Sequence, residues 1–284
     1  MVKEGIAFVE TKFVPLEKAK ISATDLAVQR GTGLFETLRT YGKAPLALRE
    51  RLERIFESAE ILGFKLRFSQ TGLTKKVLEG IDKLKVREVL VKIIVTAEAS
   101  HRGFGLVPEK TKLVILFSPF VPPPRKHYEK GIEIFTTKLK RPLPEIKSLS
   151  YLSAVVAHRR AKKAGFDEAV YLDLRNNILE GTTFNFAIIK NKTLVTPIHG
   201  ILEGITMDIV LGLAAKAGLA VKRQEIRYAD LKKAQEAFIT SASREVMPVV
   251  KVDKIKIGNG RPGVYAKLLL QKYREFALND AKNF

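Results

Sequence analysis

The stretch KSLSYLSAVVAHRRAKKAGFDEAVYLDLRNNILEGTTFNF, residues 147–186, decides how the rest of the chain is read. It opens with one lysine, Lys147, at the end of a proline-bounded loop (RPLPEIK) and passes straight into a helix. Over Tyr151–Lys163 the spacing predicts an apolar face of Tyr151, Leu152, Val155 and Val156. Opposite it stand His158, Arg159, Arg160, Lys162 and Lys163. Gly165 is the expected helix stop. A strand over Ala169–Leu174, a tight Arg-Asn-Asn turn, Glu180-Gly181 and a second strand over Phe184–Ile189 follow. A lysine at a helix entrance and a glutamate at a hairpin thus fall into one local unit.

That pairing has two readings. A lysine amine forms a Schiff base with an aldehyde cofactor, and pyridoxal phosphate needs an acidic partner on its ring nitrogen to act as an electron sink. The plainer reading is a solvated lysine and an ordinary turn, since most lysines in so basic a chain face water.

Wider motifs separate the two. KSLSYL, GFDEAVYLD, EGTTFNF and GILEGITMD, in this order, resemble the core signature of the class IV pyridoxal-phosphate aminotransferases. That group holds the branched-chain aminotransferases, the D-amino-acid aminotransferases, the aminodeoxychorismate lyases and the R-selective amine transaminases. The resemblance runs from Asp25 to Val249. It implies a two-domain α+β fold like that of the D-amino-acid aminotransferases, with a small N-terminal α/β domain and a larger C-terminal pseudo-barrel domain. The cofactor of the family lies between the two domains.

Composition agrees with a globular enzyme. The 284 residues are 46% hydrophobic and 28% charged, enough for two domains of ordinary size. No apolar run approaches a membrane span, and MVKEGIAFVE has no signal-peptide core, so a cytoplasmic location is expected. The absence of cysteine excludes disulfides and thiolate metal sites, and no metal is expected. The net charge of +20 raises the question of nucleic-acid binding. The basic residues are scattered over helices, however, and no nucleic-acid module is present. A solvated basic surface that attracts anionic substrates is the expectation.

Along the chain, Gly5–Glu10 and Lys12–Pro15 read as a hairpin and Leu34–Tyr41 as a strand turning at Gly42-Lys43. Leu48, Leu52, Ile55, Phe56, Ala59 and Leu62 recur at helical spacing up to Gly63, and Ser69 is placed to cap a second helix through Ile81. Val89–Thr96 and Lys112–Phe117 are strand-like, and proline-rich SPFVPPPRK reads as a linker. The expected division is therefore residues 1–117, a linker over 118–126, and 127–284 carrying the cofactor lysine.

The resemblance carries roles onto matching positions. Lys147 holds the cofactor and serves as general base, and Glu180 partners the ring nitrogen. Arg54 binds phosphate, with Arg51 one turn earlier as its competitor; the guanidinium fork suits phosphate oxygens. Gly204, Ile205 and Thr206 open a helix whose free N–H groups favour an anion, or form only a glycine-led cap. Leu202 packs on the cofactor ring. Tyr151 hydrogen-bonds the phenolic oxygen or belongs to the core. Thr183 and Asn185 support the Glu180 loop. Where the family presents a small hydroxyl residue to phosphate, this chain has Ala242 between Ser241 and Ser243.

Substrate preference stays open at this level. His101-Arg102-Gly103-Phe104 departs from the Arg-X-His pair of D-specific enzymes. Phe35-Glu36-Thr37 and Ser148-Leu149-Ser150-Tyr151 depart from the FEG and GGNY motifs of branched-chain enzymes, although GFGLVP is similar to their GMG loop. Thr37 and HRGFG are similar to the lyases, which place asparagine where Ser241 stands. Arg30, Arg102 and Arg244, with Thr37, are the candidates for a substrate carboxylate. The implied activity is amino transfer between an L-branched-chain or D-amino acid and a 2-oxo acid such as 2-oxoglutarate, by a homodimer. The alternative is a 4-amino-4-deoxychorismate lyase releasing pyruvate.

Overall fold

A computed structural model describes residues 5–98 and 110–282. The chain divides into two compact units, one of Met1–Val121, Ile146–Ser150 and Ala277–Phe284, the other of Pro122–Glu145 and Tyr151–Phe276.

In the first unit, β1 (Ile6–Val9) and β2 (Lys12–Pro15) form the expected hairpin, followed by α1 (Leu26–Arg30), β3 (Gly33–Tyr41) and β4 (Ala44–Pro45). Helices α2 (Leu48–Ile61) and α3 (Gln70–Lys83) precede β5 (Val89–Glu98) and β6 (Lys110–Pro119). The sheet is antiparallel throughout, in the order β2-β1-β6-β5-β3-β4. Ser69 caps α3 as its sequence predicts, its hydroxyl accepting from the Gly72 N–H at 3.1 Å. Leu34 and Leu38 of β3, Leu52 and Ile55 of α2, and Leu73 and Val77 of α3 share one dry core with alternate residues of β5. Gly80 lets α3 lie close on the sheet, because a Cβ there would meet the Phe117 ring at 2.1 Å. Strand periodicity sends Phe35 and Thr37 to the opposite face, beside Ile94 and Lys92, their direct cross-strand partners.

The second unit holds α4 (Arg125–Lys130), β7 (Ile132–Thr137), α5 (Leu152–Lys163), β8 (Glu168–Leu172), β9 (Asn177–Gly181), β10 (Asn185–Lys190) and β11 (Thr193–Thr196). It continues with α6 (Ile205–Lys216), β12 (Ala220–Arg223), β13 (Ile226–Arg227), β14 (Glu236–Ser241), β15 (Glu245–Val252) and β16 (Ile255–Lys256). Helix α7 (Val264–Asp280) closes the chain. Its mixed sheet runs β12-β11-β10-β14-β15-β7-β8-β9-β13, with β16 on β15, and curls into a half-barrel. The α+β architecture expected from the sequence is thus observed.

One expectation needs correction. Helix α5 does not bury Leu152 and Val155, which are 76% and 60% exposed. It buries Ala154, Ala157 and Ala161 instead, packing the last two against Ala169 and Tyr171 of β8. Small side chains let the helix approach the strand closely, and that contact outweighs the larger residues on the other side. The segment Ile146–Ser150, which carries Lys147, groups with the first unit. The cause is backbone pairing: the Phe35 N–H donates to the Lys147 carbonyl and the Leu149 N–H to the Gly33 carbonyl, both at 2.9 Å. Among the described residues no helix is long and apolar enough to cross a membrane, and no cluster of metal-ligand side chains occurs.

Candidate active site

In the first unit the extended segment that pairs with β3 presents Lys147, whose Nζ lies 4.8 Å from the centre of the Phe35 ring. Next to Phe35, Glu36 is 1% exposed. Its Oε2 accepts from Arg54 Nε at 2.9 Å and Nη2 at 2.6 Å, and its Oε1 accepts from the Thr37 N–H at 2.8 Å. Burial pushes the Glu36 carboxyl up, but Arg54, Lys147 and Arg51 together hold it below its ordinary value. Arg51 lies deeper, donating Nε to the Leu46 carbonyl at 3.2 Å and Nη1 to the Thr37 carbonyl at 2.9 Å. That separates the two helix arginines: Arg51 fastens the β3–α2 connection, while Arg54 is held in place by a buried carboxylate.

In the second unit Glu180 lies in β9 itself, not in a turn, and is buried. Arg141 Nε and Nη2 both reach Glu180 Oε1, at 3.0 and 2.9 Å. Oε2 accepts from the Leu202 N–H at 3.0 Å. The same guanidinium donates to the Pro144 carbonyl, so the proline-rich loop and the glutamate are fixed by one side chain. Burial, and then the neighbouring Glu180 charge, raise the Tyr171 phenol above its ordinary range.

Leu202 is clamped from its other end, where its carbonyl accepts from Asn185 Nδ2 at 2.7 Å. Two residues on, Gly204 is the N-cap of α6. A Cβ on Gly204 would stand 1.8 Å from Asn185 Oδ1, so only glycine brings the helix entrance this close. Helix geometry leaves the Ile205 and Thr206 N–H groups without intrahelical acceptors there. Thr240 pairs directly across from Asn185, and its hydroxyl is buried with no partner among the described residues. Gly204→Ala is expected to displace Asn185 and release Leu202, lowering Tm by several degrees and weakening phosphate-ester binding; a thermal melt with and without cofactor checks both.

The remaining sequence candidates are placed as follows. Tyr151 is the half-buried N-cap residue of α5, its carbonyl accepting from the Val155 N–H. The Ser241 hydroxyl accepts from the Arg244 N–H at 3.2 Å, and Ala242 lies in the same turn. Arg244 is engaged: it donates to the Thr183 hydroxyl at 2.9 Å and to the buried carboxylate of Glu168. Arg30 is exposed at the end of α1. Arg102 lies outside the described residues. Sequence reading missed Arg141, the anchoring role of Glu36, and Thr240; only the Arg-Pro start of the lysine loop hinted at the first.

Each unit by itself carries chemistry that suits pyridoxal phosphate: the first an amine able to take an aldehyde, the second a fixed buried carboxylate and a helix entrance with free N–H groups. The family model "Amino-transferase class IV" matches residues 33–252. A putative branched-chain-amino-acid aminotransferase of Methanocaldococcus jannaschii is 34% identical over 275 residues, covering 94% of this chain and 95% of the relative. A D-alanine aminotransferase of Staphylococcus epidermidis is 30% identical over 274 residues, covering 95% and 96%. Among solved structures, a T.th. branched-chain amino acid aminotransferase with pyridoxamine 5'-phosphate superposes with a TM-score of 0.93 at 27% identity, covering 99% of this chain and 96% of that one. The chain therefore belongs to the class IV aminotransferases and is a pyridoxal-phosphate-dependent enzyme.

Proposed function

We propose that the enzyme transfers the amino group of an L-branched-chain amino acid to a 2-oxo acid such as 2-oxoglutarate. The observation that carries its chemistry is the buried Glu180 carboxylate, locked by Arg141 and the Leu202 N–H. Pyridoxal phosphate, when bound, supplies the electron sink that makes an amino acid's α-proton removable. In this reading Lys147 holds the cofactor aldehyde and its released amine takes the α-proton and returns it. Glu180 keeps a proton on the ring nitrogen. Arg54, the Ile205 and Thr206 N–H groups and the hydroxyl-bearing turn at 240–243 bind phosphate, while Leu202 and Tyr151 bound the ring. A homodimer in the cytoplasm is the assembly and location that go with it.

The branched-chain donor is supported by the Methanocaldococcus relative and by the solved T.th. enzyme. The D-alanine aminotransferase relative supports a second reading, a D-amino-acid donor. One experiment decides. The purified protein with pyridoxal phosphate is mixed separately with L-leucine, L-valine, D-alanine and D-glutamate, and its visible spectrum is followed. Conversion to the pyridoxamine form by the L-acids alone is expected. Conversion by the D-acids alone would replace the donor class, and no conversion by any amino acid would favour the lyase and overturn amino transfer.

A further inference from the structure

Strand β14 ends at Ser241 and β15 begins at Glu245, so Ala242, Ser243 and Arg244 make the turn between them. Glu245 has a φ of 56°. Left-handed backbone is unfavourable for a residue with a side chain and persists where its surroundings over-determine it. Here they do. The Arg244 N–H donates to the Ser241 hydroxyl at 3.2 Å, the Tyr128 hydroxyl donates to the Arg244 carbonyl at 3.1 Å, and Arg274 Nε donates to the buried Glu245 carboxylate at 2.8 Å. The Arg244 side chain reaches away from the turn, donating to the Thr183 hydroxyl at 2.9 Å and to the buried Glu168 carboxylate. Glu168 is itself fixed: its Oε2 meets His158 Nδ1 at 3.2 Å and accepts from the Thr182 hydroxyl at 3.3 Å. Thr182 and Thr183 lie between Glu180 of β9 and Asn185 of β10. One guanidinium therefore ties the 241–244 turn to the loop whose ends carry the buried Glu180 carboxylate and the Asn185 amide that clamps Leu202.

Resting on the reading in which this turn binds the cofactor phosphate, we infer that Arg244 is its positioning residue: braced on Glu168 and Thr183, it fixes the Ser241 hydroxyl for a phosphate oxygen without touching phosphate itself. The Ser241 oxygen accepts from the Arg244 N–H, which leaves its O–H to donate to an anion. A planar fork suits the brace, because two of its nitrogens reach acceptors on two different elements in one fixed geometry. Its charge also offsets Glu168, a buried carboxylate one side chain away from the turn and unfavourable to a bound anion. Engaged in this way, the guanidinium serves the turn and not a substrate carboxylate.

The test uses the full chain stripped of cofactor and two ligands, pyridoxamine 5'-phosphate and pyridoxamine, which differ by the phosphate and form no bond with Lys147. Calorimetric titration is expected to show wild type binding the phosphate ester more tightly. In Arg244→Met the ester's Kd rises roughly 10- to 100-fold, the loss of about one hydrogen bond to a charged group, while that of pyridoxamine shifts by less than about threefold. Arg244→Lys, which engages Glu168 or Thr183 but not both, recovers part of the difference. Thr183→Val removes one arm of the brace and raises the ester's Kd roughly three- to tenfold, again sparing pyridoxamine. Should Arg244→Met fail to fold, Thr183→Val decides the question. The inference is overturned if both ligands weaken together, as a general loss of structure would make them. It is overturned alone if wild type prefers the ester and neither variant alters that preference. A wild type that binds the two ligands equally removes the phosphate reading of the turn, and the brace with it.

Discussion

Replacing Lys147 by alanine is expected to lower kcat for amino transfer by at least about 10⁴-fold while leaving the fold intact. On the proposed reading one side chain serves two purposes, as cofactor anchor and as base, and general-base catalysis alone contributes roughly 10²- to 10⁴-fold. The structure explains why the loss is confined to chemistry. The backbone of this segment, not its lysine side chain, pairs with β3: Phe35 donates to the Lys147 carbonyl and Leu149 to that of Gly33. Alanine keeps both bonds. Removing the amine takes one positive charge from beside Glu36, but Arg54 and Arg51 still flank that carboxylate. A melting curve superposed on wild type, with single-turnover rates measured on the same preparation, checks stability and chemistry together. A variant that retains a tenth of the wild-type rate would remove Lys147 from the centre of the mechanism.

What the sequence made legible was local. The β1–β2 hairpin, the Ser69 cap and the Gly204 helix start are written in neighbouring residues, and each is found where the pattern put it. Distant contacts were not legible. Arg141 and Glu180 are 39 residues apart, and nothing near either announces the other. Arg54 was readable as a phosphate ligand only through the family pattern; that Glu36 anchors it depends on how β3 faces α2. Helix α5 misled because Leu and Val outweigh Ala in any hydrophobic periodicity, whereas close packing on β8 favours the smaller side chain.

The Arg141–Glu180 pair should separate stability from catalysis. Both partners are buried, so the variants differ in what they leave behind. Arg141→Met takes the guanidinium away from the buried Glu180 carboxylate, which keeps the Leu202 N–H. Uncovering one member of a buried ion pair costs about 3–5 kcal/mol, which for a protein unit of this size lowers Tm by roughly 10 °C. Glu180→Gln removes the charge and keeps one acceptor oxygen, for Arg141 or for the Leu202 N–H but not for both, so it too loses stability. On the proposed reading its kcat also drops roughly 10²-fold or more, because a neutral amide cannot keep a proton on the ring nitrogen. Combining the two replacements removes both charges together, and buried pairs exchanged for neutral groups are close to neutral in stability. The double variant is therefore expected to melt above Arg141→Met while remaining as slow as Glu180→Gln. Thermal melts and single-turnover rates on the four proteins complete the cycle. If stability losses simply add, the pair is not coupled as the distances of 3.0 and 2.9 Å require. If Glu180→Gln keeps its rate, the carboxylate serves Arg141 and the proline-rich loop, and another group must hold the ring nitrogen.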